Sequence, residues 1–593
     1  MKKTRISKDF WRGKFFNGIV FLILLFYSGW ISAQDSLSLI TDSIVITANR
    51  ETLRSYENAN PLTQLTLQNA IMSRQGNTGF TGLRSQGLVS RQIPINWNGI
   101  NLQSPHNGTL DINLLPPWFN FRMINEADSP LKLNLTIPSR KSVDLNYQFI
   151  GNGKFTSMYE LKFGNVSHQL GVNVNGGKNR YQYRHGETSK TLDHASFFNT
   201  DLMYNIFWYS VKNRFEGNFW YQNYDRNIIP PKGTVSNNEH QKDENFRANF
   251  SFSQSISANS ELQFQLFGFK EQIIFTTNSL YSNGVVFTYG ILTNWKLNSG
   301  FKLRMNAKKI QSDASFYTQR PSYTDVDASV SKSFRIDWHT IKLSGSIRRF
   351  DGAILPINYG FCYIMELSSF KIMLNSSSNH VIPTLNDRYW PIGGNLDLLT
   401  ERNYLNSAKI TWPEAKSYRV QMMFFYNLFS QQIVWSPNPA LTYWTPDNVG
   451  KSRAIGLNLE GRFNIRITQN LTFNLNLSTT YQKTKILKDK RIYLIGKELI
   501  YQPNFYLTFS PSFKWKKLKL NVDYLFKSRQ YYLFDNSNSI SASHLVDVSI
   551  RYQILASTYT YFKINNVFNA DYEEIKSYPL PLNFVELGIT KNL

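Results

Sequence analysis

Histidine, cysteine and serine are the residues through which this chain could do chemistry, and their spacing supports none. The eight histidines stand at 106, 168, 185, 194, 240, 339, 380 and 544. No two lie at the i, i+4 spacing that puts paired imidazoles on one helix face for a metal. The single thiol, Cys362, excludes a disulfide framework and a multi-cysteine zinc site, and reads as a packed thiol. Neither a G-x-S-x-G elbow nor a phosphate-cradling loop occurs. His544, near Ser541 and Ser543, comes closest to a serine–histidine pair, and an ordinary strand histidine is the simpler reading. On these criteria the chain is expected to be no enzyme and to carry no cofactor.

A different chemistry is open to Ser43, Ile44, Val45, Ile46, Thr47 and Ala48. An extended apolar peptide of this kind offers main-chain donors and acceptors to a partner by strand addition. Lys2, Lys3, Arg5, Lys8, Arg12 and Lys14 precede an apolar run from Gly18 to Ile31, and Ile31-Ser32-Ala33 ends in small residues. That is the pattern of a secretory leader cleaved after Ala33. The run is too short for an easy helical span of roughly 20 residues.

Net charge is +24, of which the leader's six Lys/Arg and one Asp account for +5. A basic chain can bind nucleic acid, but no DNA-binding motif accompanies this charge, so nucleic acid is not an expected partner. Basic loops facing anionic outer-leaflet phosphates fit better. Lys483, Lys485, Lys488, Lys490 and Arg491 are expected in such a loop. Aromatics make up 15% of the chain, with 43 Phe and 33 Tyr, and no later segment is apolar for the roughly 18 residues a membrane helix needs. A membrane β-barrel reconciles the two, because its strands alternate lipid-facing apolar with lumen-facing polar side chains and carry aromatic girdles.

The elements agree. Leu457, Leu459, Phe463, Ile465 and Ile467 alternate with Asn458, Glu460, Arg462, Asn464 and Arg466; after Thr468-Gln469-Asn470 the pattern resumes as Leu471, Phe473, Leu475 and Leu477. Side chains alternate faces along a strand, so each face here is chemically uniform. The figure repeats at Phe246–Phe252, Leu262–Leu266, Phe505–Phe509, Leu518–Tyr524 and Val546–Tyr552. Polar stretches at about 178–197, 223–243, 309–324, 377–415 and 483–500 separate the hairpins, giving the short-turn, long-loop asymmetry of outer-membrane barrels. Roughly 450 residues from Val143, at about 20 per strand and connection, make about 22 strands, a size that holds a plugged lumen.

The segment before the barrel carries a specific resemblance. Leu83-Arg84-Ser85-Gln86-Gly87, then Arg91 to Leu102 with its Trp97-Asn98-Gly99-Ile100, then Asp111 to Pro116 resemble, in order, the plug strands of TonB-dependent outer-membrane receptors of Bacteroidetes type. Pro383 to Tyr389 with Gly394 to Glu401, Ile433 to Glu460, and Asn565 to Tyr572 resemble barrel motifs of the same family. Ser43 to Ala48 resemble its TonB box. The resemblance implies a leader at 1–33, a tail with the TonB box at 34–50, a small α+β plug at 51–141 and an antiparallel barrel of about 22 strands at 142–593.

It further implies a cell outer membrane location among outer-membrane lipids, a TonB-type periplasmic energy transducer as partner, and energised uptake of a small-molecule ligand. A metal chelate such as a ferric siderophore or cobalamin is the expected ligand, with a non-transporting surface binding protein as the alternative. Trp97, Tyr389, Trp390, Trp435, Tyr443 and Trp444 are the aromatics expected to stack on it. Arg84 is expected to hold the plug through a barrel carboxylate. One departure matters. The family's plug closes with a Gly-rich turn, whereas here no glycine stands between Gly108 and Gly151. Glycine turns let backbones approach closely, so a looser plug is expected, with a water path beside Phe121 to Pro138.

Overall fold

The computed structural model describes residues 61–126, 129–137, 142–236, 238–317, 319–391, 393–412, 417–437 and 444–593. The leader and Ser43 to Ala48 lie outside them.

Alternation does what the sequence pattern requires. In the strand His240–Ser257, Phe246, Phe250 and Phe252 are exposed while Arg247, Asn249 and Ser251 are buried. On its partner Ser260–Thr276, Phe264 and Leu266 face out and Gln265 faces in. Apolar residues outside and polar residues inside is the inverse of a soluble protein and the signature of a barrel in lipid. The strands from Ser142–Gln148 to Phe584–Asn592 pair antiparallel with their neighbours, and the last pairs with the first through Ile589 and Leu145. The barrel closes with 22 strands, so no edge is left unpaired in the membrane. Cys362 is buried in one of them, Asn358–Glu366.

Connections are short at one end and longer at the other, and the long end is the outer one. The long connections are shorter than the sequence suggested. Lys483, Lys485 and Lys488 lie in the strand Leu471–Lys488, and the strands Phe301–Ala314 and Ser322–Ile336 leave only 315–321 between them. Strands here run past the apolar band, where both faces turn polar and the pattern no longer distinguishes strand from loop.

Inside the barrel sits a small α+β plug. A helix, α1 (Pro61–Thr66), leads to β1 (Ile71–Arg74) and β2 (Thr81–Arg84), which pair antiparallel. A second sheet has the order β4-β3-β6-β5, from β3 (Ile95–Trp97), β4 (Ile100–Asn101), β5 (Asn120–Glu126) and β6 (Ser129–Thr136). Asn98 and Gly99, both at positive φ (52° and 83°), close the β3–β4 hairpin as a two-residue turn. Only two residues separate β5 from β6, where the resembling family has its Gly-rich turn.

The plug core is continuous with the barrel wall. Trp97 meets Trp220 of the strand Asn213–Asn227 edge-on at 5.9 Å, and Phe119 meets it at 5.4 Å. The guanidinium of Arg247 lies 4.5 Å over the same indole. Such pairs add about 0.5–1.5 kcal/mol each beyond area burial, so the plug is packed against this side of the wall as a core is.

Further round the wall, three strands on, the fit is open. A cavity of about 510 Å³ lies between Asn96, Ile100, Lys132 and Asn134 of the plug and the strands from Tyr281–Lys296 to Lys371–Val381. Lys132 and Asn134 belong to β6, inside the segment where the missing turn predicts a water path.

Candidate functional site

The outer face of the plug is fastened to the barrel by three buried ionic clamps. In the first, Arg74 at the end of β1 meets Glu574 at 2.9 Å, and Lys527 donates to the same carboxylate at 2.6 Å. Glu574 is 2% exposed. Burial pushes its carboxyl up, but Arg74 and Lys527 outweigh burial and hold it at about 2.

The second clamp joins Arg91 to Asp387 at 2.7 Å and to Glu401 at 3.2 Å. Gln92 donates to Glu401 at 2.7 Å. Asp387 lies on α2 (Leu385–Tyr389), whose first turn is capped by Thr384. The helix forms because Thr384 and Asp387 bond reciprocally, side chain to backbone. Burial raises the Asp387 carboxyl, and Arg91 overcomes that to leave it below the usual carboxylate range.

The third clamp is Asp111. Its Oδ1 accepts from the Thr81 and Asn113 amides, and its Oδ2 meets Arg226 of the barrel at 2.8 Å. The aspartate that opens the Asp111–Pro116 motif therefore caps a 3₁₀ turn and fastens the plug at once.

The site residues expected from sequence are placed as follows. Arg84 finds no barrel carboxylate. Its Nε donates to Ser73, its Nη1 to the Ile500 carbonyl at 3.4 Å, and its guanidinium lies 5.5 Å from the Tyr501 ring. Burial lowers it to about 10, opposed only by Tyr501. Arg74, Arg91 and, from the barrel side, Arg226 hold carboxylates instead. Sequence alone carries no sign of this, because their partners lie between 115 and 500 residues away.

Trp97 is fully buried between the plug and the barrel wall, out of a ligand's reach. It points to the β3 face that packs on Trp220, opposite to the face its neighbour Asn96 presents to the cavity. Tyr389 and Trp390 lie together on and after α2. Trp390 is 39% exposed and packs 5.4 Å from Phe316, and Tyr389 lies 6.2 Å from Tyr317. Trp435 is half-buried and donates from Nε1 to Asp387 at 2.8 Å, so one face of the second clamp is aromatic. Trp444 pairs through its backbone with Pro437 at the tip of the longest hairpin, Tyr418–Pro437 with Trp444–Arg466. Tyr443 lies outside the described residues. Among the described residues no cluster of three or more His, Cys, Asp or Glu could hold a metal ion.

Residues 382–582 match the outer membrane protein beta-barrel family. The vitamin B12 transporter BtuB of Photobacterium profundum is 25% identical over 225 residues, 36% of this chain and 33% of that protein. BtuB of Vibrio vulnificus is 22% identical over 215 residues, 35% and 32% respectively. The chain thus spans about a third of the length of the curated relatives it matches. Among solved structures, the FrpB iron transporter from Neisseria meningitidis (F5-1 variant) superposes with a TM-score of 0.75 at 12% identity, covering 91% of this chain and 99% of that one. The siderophore receptor PiuA from Acinetobacter baumannii gives 0.68 at 13% identity, covering 88% and 93%. With a closed 22-stranded barrel, a plug clamped in its lumen and these neighbours, the chain is a cell outer membrane protein with the fold of the TonB-dependent receptors.

Proposed function

We propose that the protein takes up a scarce nutrient under energy supplied from the periplasm, its ligand a metal chelate such as a ferric siderophore or cobalamin. The observation that carries this reading is the clamped plug. Three buried ionic clamps and a shared aromatic core keep a bulky ligand out of the lumen until work is done on the plug. Ser43 to Ala48 are the handle for that work, gripped by a TonB-type transducer as an added strand. Tyr389 and Trp390, beside the second clamp, are the aromatics placed to meet the ligand. An occupant there bears on α2 and, through Asp387, on Arg91 of the plug. The local likeness to vitamin B12 transporters and the fold shared with iron and siderophore receptors support the ligand class.

The experiment is uptake and surface binding of labelled cyanocobalamin and ferric siderophores by cells carrying wild type or Ile46→Pro. Proline removes a donor and forbids regular strand pairing. The variant should bind as wild type does and import nothing. Equal import by both would refute the assignment. The short β5–β6 link favours a second reading, a surface binding protein that no longer transports. Wild-type binding without import would establish it.

A further inference from the structure

The cavity beside the plug has a composition and a closure of its own. Part of its barrel wall is made of short side chains, Ser329, Ser331, Ser344, Gly345, Ser346 and Ser377, beside larger ones such as Phe267, Leu292, Tyr359 and His380. On the packed side the corresponding wall carries Trp220, Gln222, Arg247 and Gln265, all buried. The run of short residues leaves space between this part of the wall and the plug.

The lining mixes polar and apolar surface, and its charged groups are mostly cationic. Lys132, Lys296, Lys302, Arg304, Lys308 and Arg348 line it together with two carboxylates, Asp325 and Asp327. Asp325 is held by Arg348 at 2.7 Å and by Lys308 at 3.4 Å, and Asn306 donates to Asp327. The space runs from Trp295, Lys296 and Lys302, at the short turn of the inner rim, up to Arg348 and His380 near the outer ends of their strands.

One step further out the inward face changes character. Lys308 is followed two positions on by Ile310, Arg348 by Phe350 and His380 by Ile382; Asp325 is preceded by Tyr323. Residues two apart share a face and stand about 7 Å apart along a strand. Ile310, Tyr323 and Phe350 join Tyr317 and Leu385 in one buried apolar cluster with Phe316 and Tyr389 packed on it. Tyr317 donates to Asn386 at 2.6 Å and lies 3.0 Å from His106 Nδ1 of the plug. A single aromatic layer, pinned to the plug, thus covers a charged, hydrophilic shaft.

We propose that this shaft is a passive path for small hydrophilic anions, closed at its outer end by the aromatic lid. A cavity of about 510 Å³ admits inorganic and small carboxylate anions and excludes bulky chelates. The path runs beside the plug and is distinct from the energised uptake proposed above, although its lid packs on Tyr389 and bonds to α2. A like-charged cleft concentrates counter-ions and selects by charge.

The test is purified receptor in planar bilayers under a KCl gradient, with folding verified by heat-modifiable gel mobility. Wild type should be silent or nearly so. Phe316→Ala/Tyr317→Ala, in a connection outside the strands, should conduct, with a chloride-to-potassium permeability ratio of about 3 or more. Adding Lys132→Glu and Arg304→Glu should bring that ratio below one. A folded lid variant that stays silent, or one that prefers potassium, overturns the proposal. Should the lid variant fail to fold, Ser331→Cys and Ser346→Cys with the lid intact decide it. Cys362 is buried and gives little background. A small anionic methanethiosulfonate should modify the new thiols several-fold faster than a cationic one of the same size. Equal rates, or no modification, overturn it as well.

Discussion

Removing the Arg91 guanidinium should free the plug's outer face without unfolding the barrel. Arg91 serves two carboxylates that are 2% and 1% exposed, at 2.7 and 3.2 Å. In Arg91→Ala both stay buried, with only Gln92, Trp435 and backbone amides to accept from. Breaking a buried pair from one side costs about 3–5 kcal/mol, mostly as the uncompensated charge left behind. At 1.4 kcal/mol per decade, the plug-released population rises roughly 100- to 3,000-fold. Hydrogen exchange on detergent-solubilised receptor reads this directly. Amides of β1 to β4 should lose about that factor of protection, while strands such as His240–Ser257 serve as the internal reference. Arg91→Lys should fall between, since one ammonium cannot span two carboxylates as a planar fork does. Arg91→Ala/Asp387→Asn/Glu401→Gln should recover most of the loss, because no charge remains stranded. Wild-type protection in Arg91→Ala refutes the clamp. A triple variant no better than the single one refutes the charge argument while leaving the contact.

Acid should release the first clamp. Burial alone would raise Glu574, but Arg74 and Lys527 hold it at about 2 against an ordinary 4.5. A depressed carboxylate contributes stability that is full above 4.5 and fades as the pH falls towards 2. On the order of 3 kcal/mol is at stake, and near-UV circular dichroism should show a transition in that window that Glu574→Gln lacks. Gly87→Val should loosen the plug by about 1–3 kcal/mol, measured as lost exchange protection. A Cβ at Gly87 would collide with that of Ala454, and the residue sits at φ +80°, so Ala454→Gly should restore part of the loss and not all. Cell fractionation with N-terminal sequencing should find a heat-modifiable outer-membrane band beginning at Gln34. A soluble periplasmic product would contradict the outer-membrane barrel, and an uncleaved N-terminus would contradict the leader assignment.

Legibility in the sequence followed the range of the interactions. The Asn98-Gly99 turn was readable because a two-residue hairpin is decided by the residues in it. The number of strands was readable because a bilayer fixes strand length, so the length of the barrel segment divides into a count. The same signal faded where strands leave the apolar band, which is why Lys483 and Lys485 read as loop and are strand. Trp97 looked like a ligand aromatic because exposure at a hairpin cannot be told from burial without its partner, Trp220, 123 positions on. Arg84 was chosen from a motif, yet three other arginines carry the plug's salt bridges to the barrel. Composition marks all of these arginines alike, and only the fold brings carboxylates to some of them.

The positions of the clamps explain how the plug is retained although one arc of its rim is open. Arg226 lies at the outer end of the strand Asn213–Asn227, Glu401 at that of Glu401–Thr411, and Lys527 at that of Leu518–Lys527. The cavity wall lies between the first two, along strands from Phe301–Ala314 to Lys371–Val381. Along that arc the plug's bonds are lighter, among them Arg304 to the Gly99 carbonyl at 2.9 Å. Ion pairs deep in protein resist screening and hold the plug from the far sides. The arc in front of β6 is then free to carry small, polar side chains without loss of retention. β6 presents Lys132 and Asn134 to that arc, so the polar edge of the plug and the serines of the wall meet in the same place.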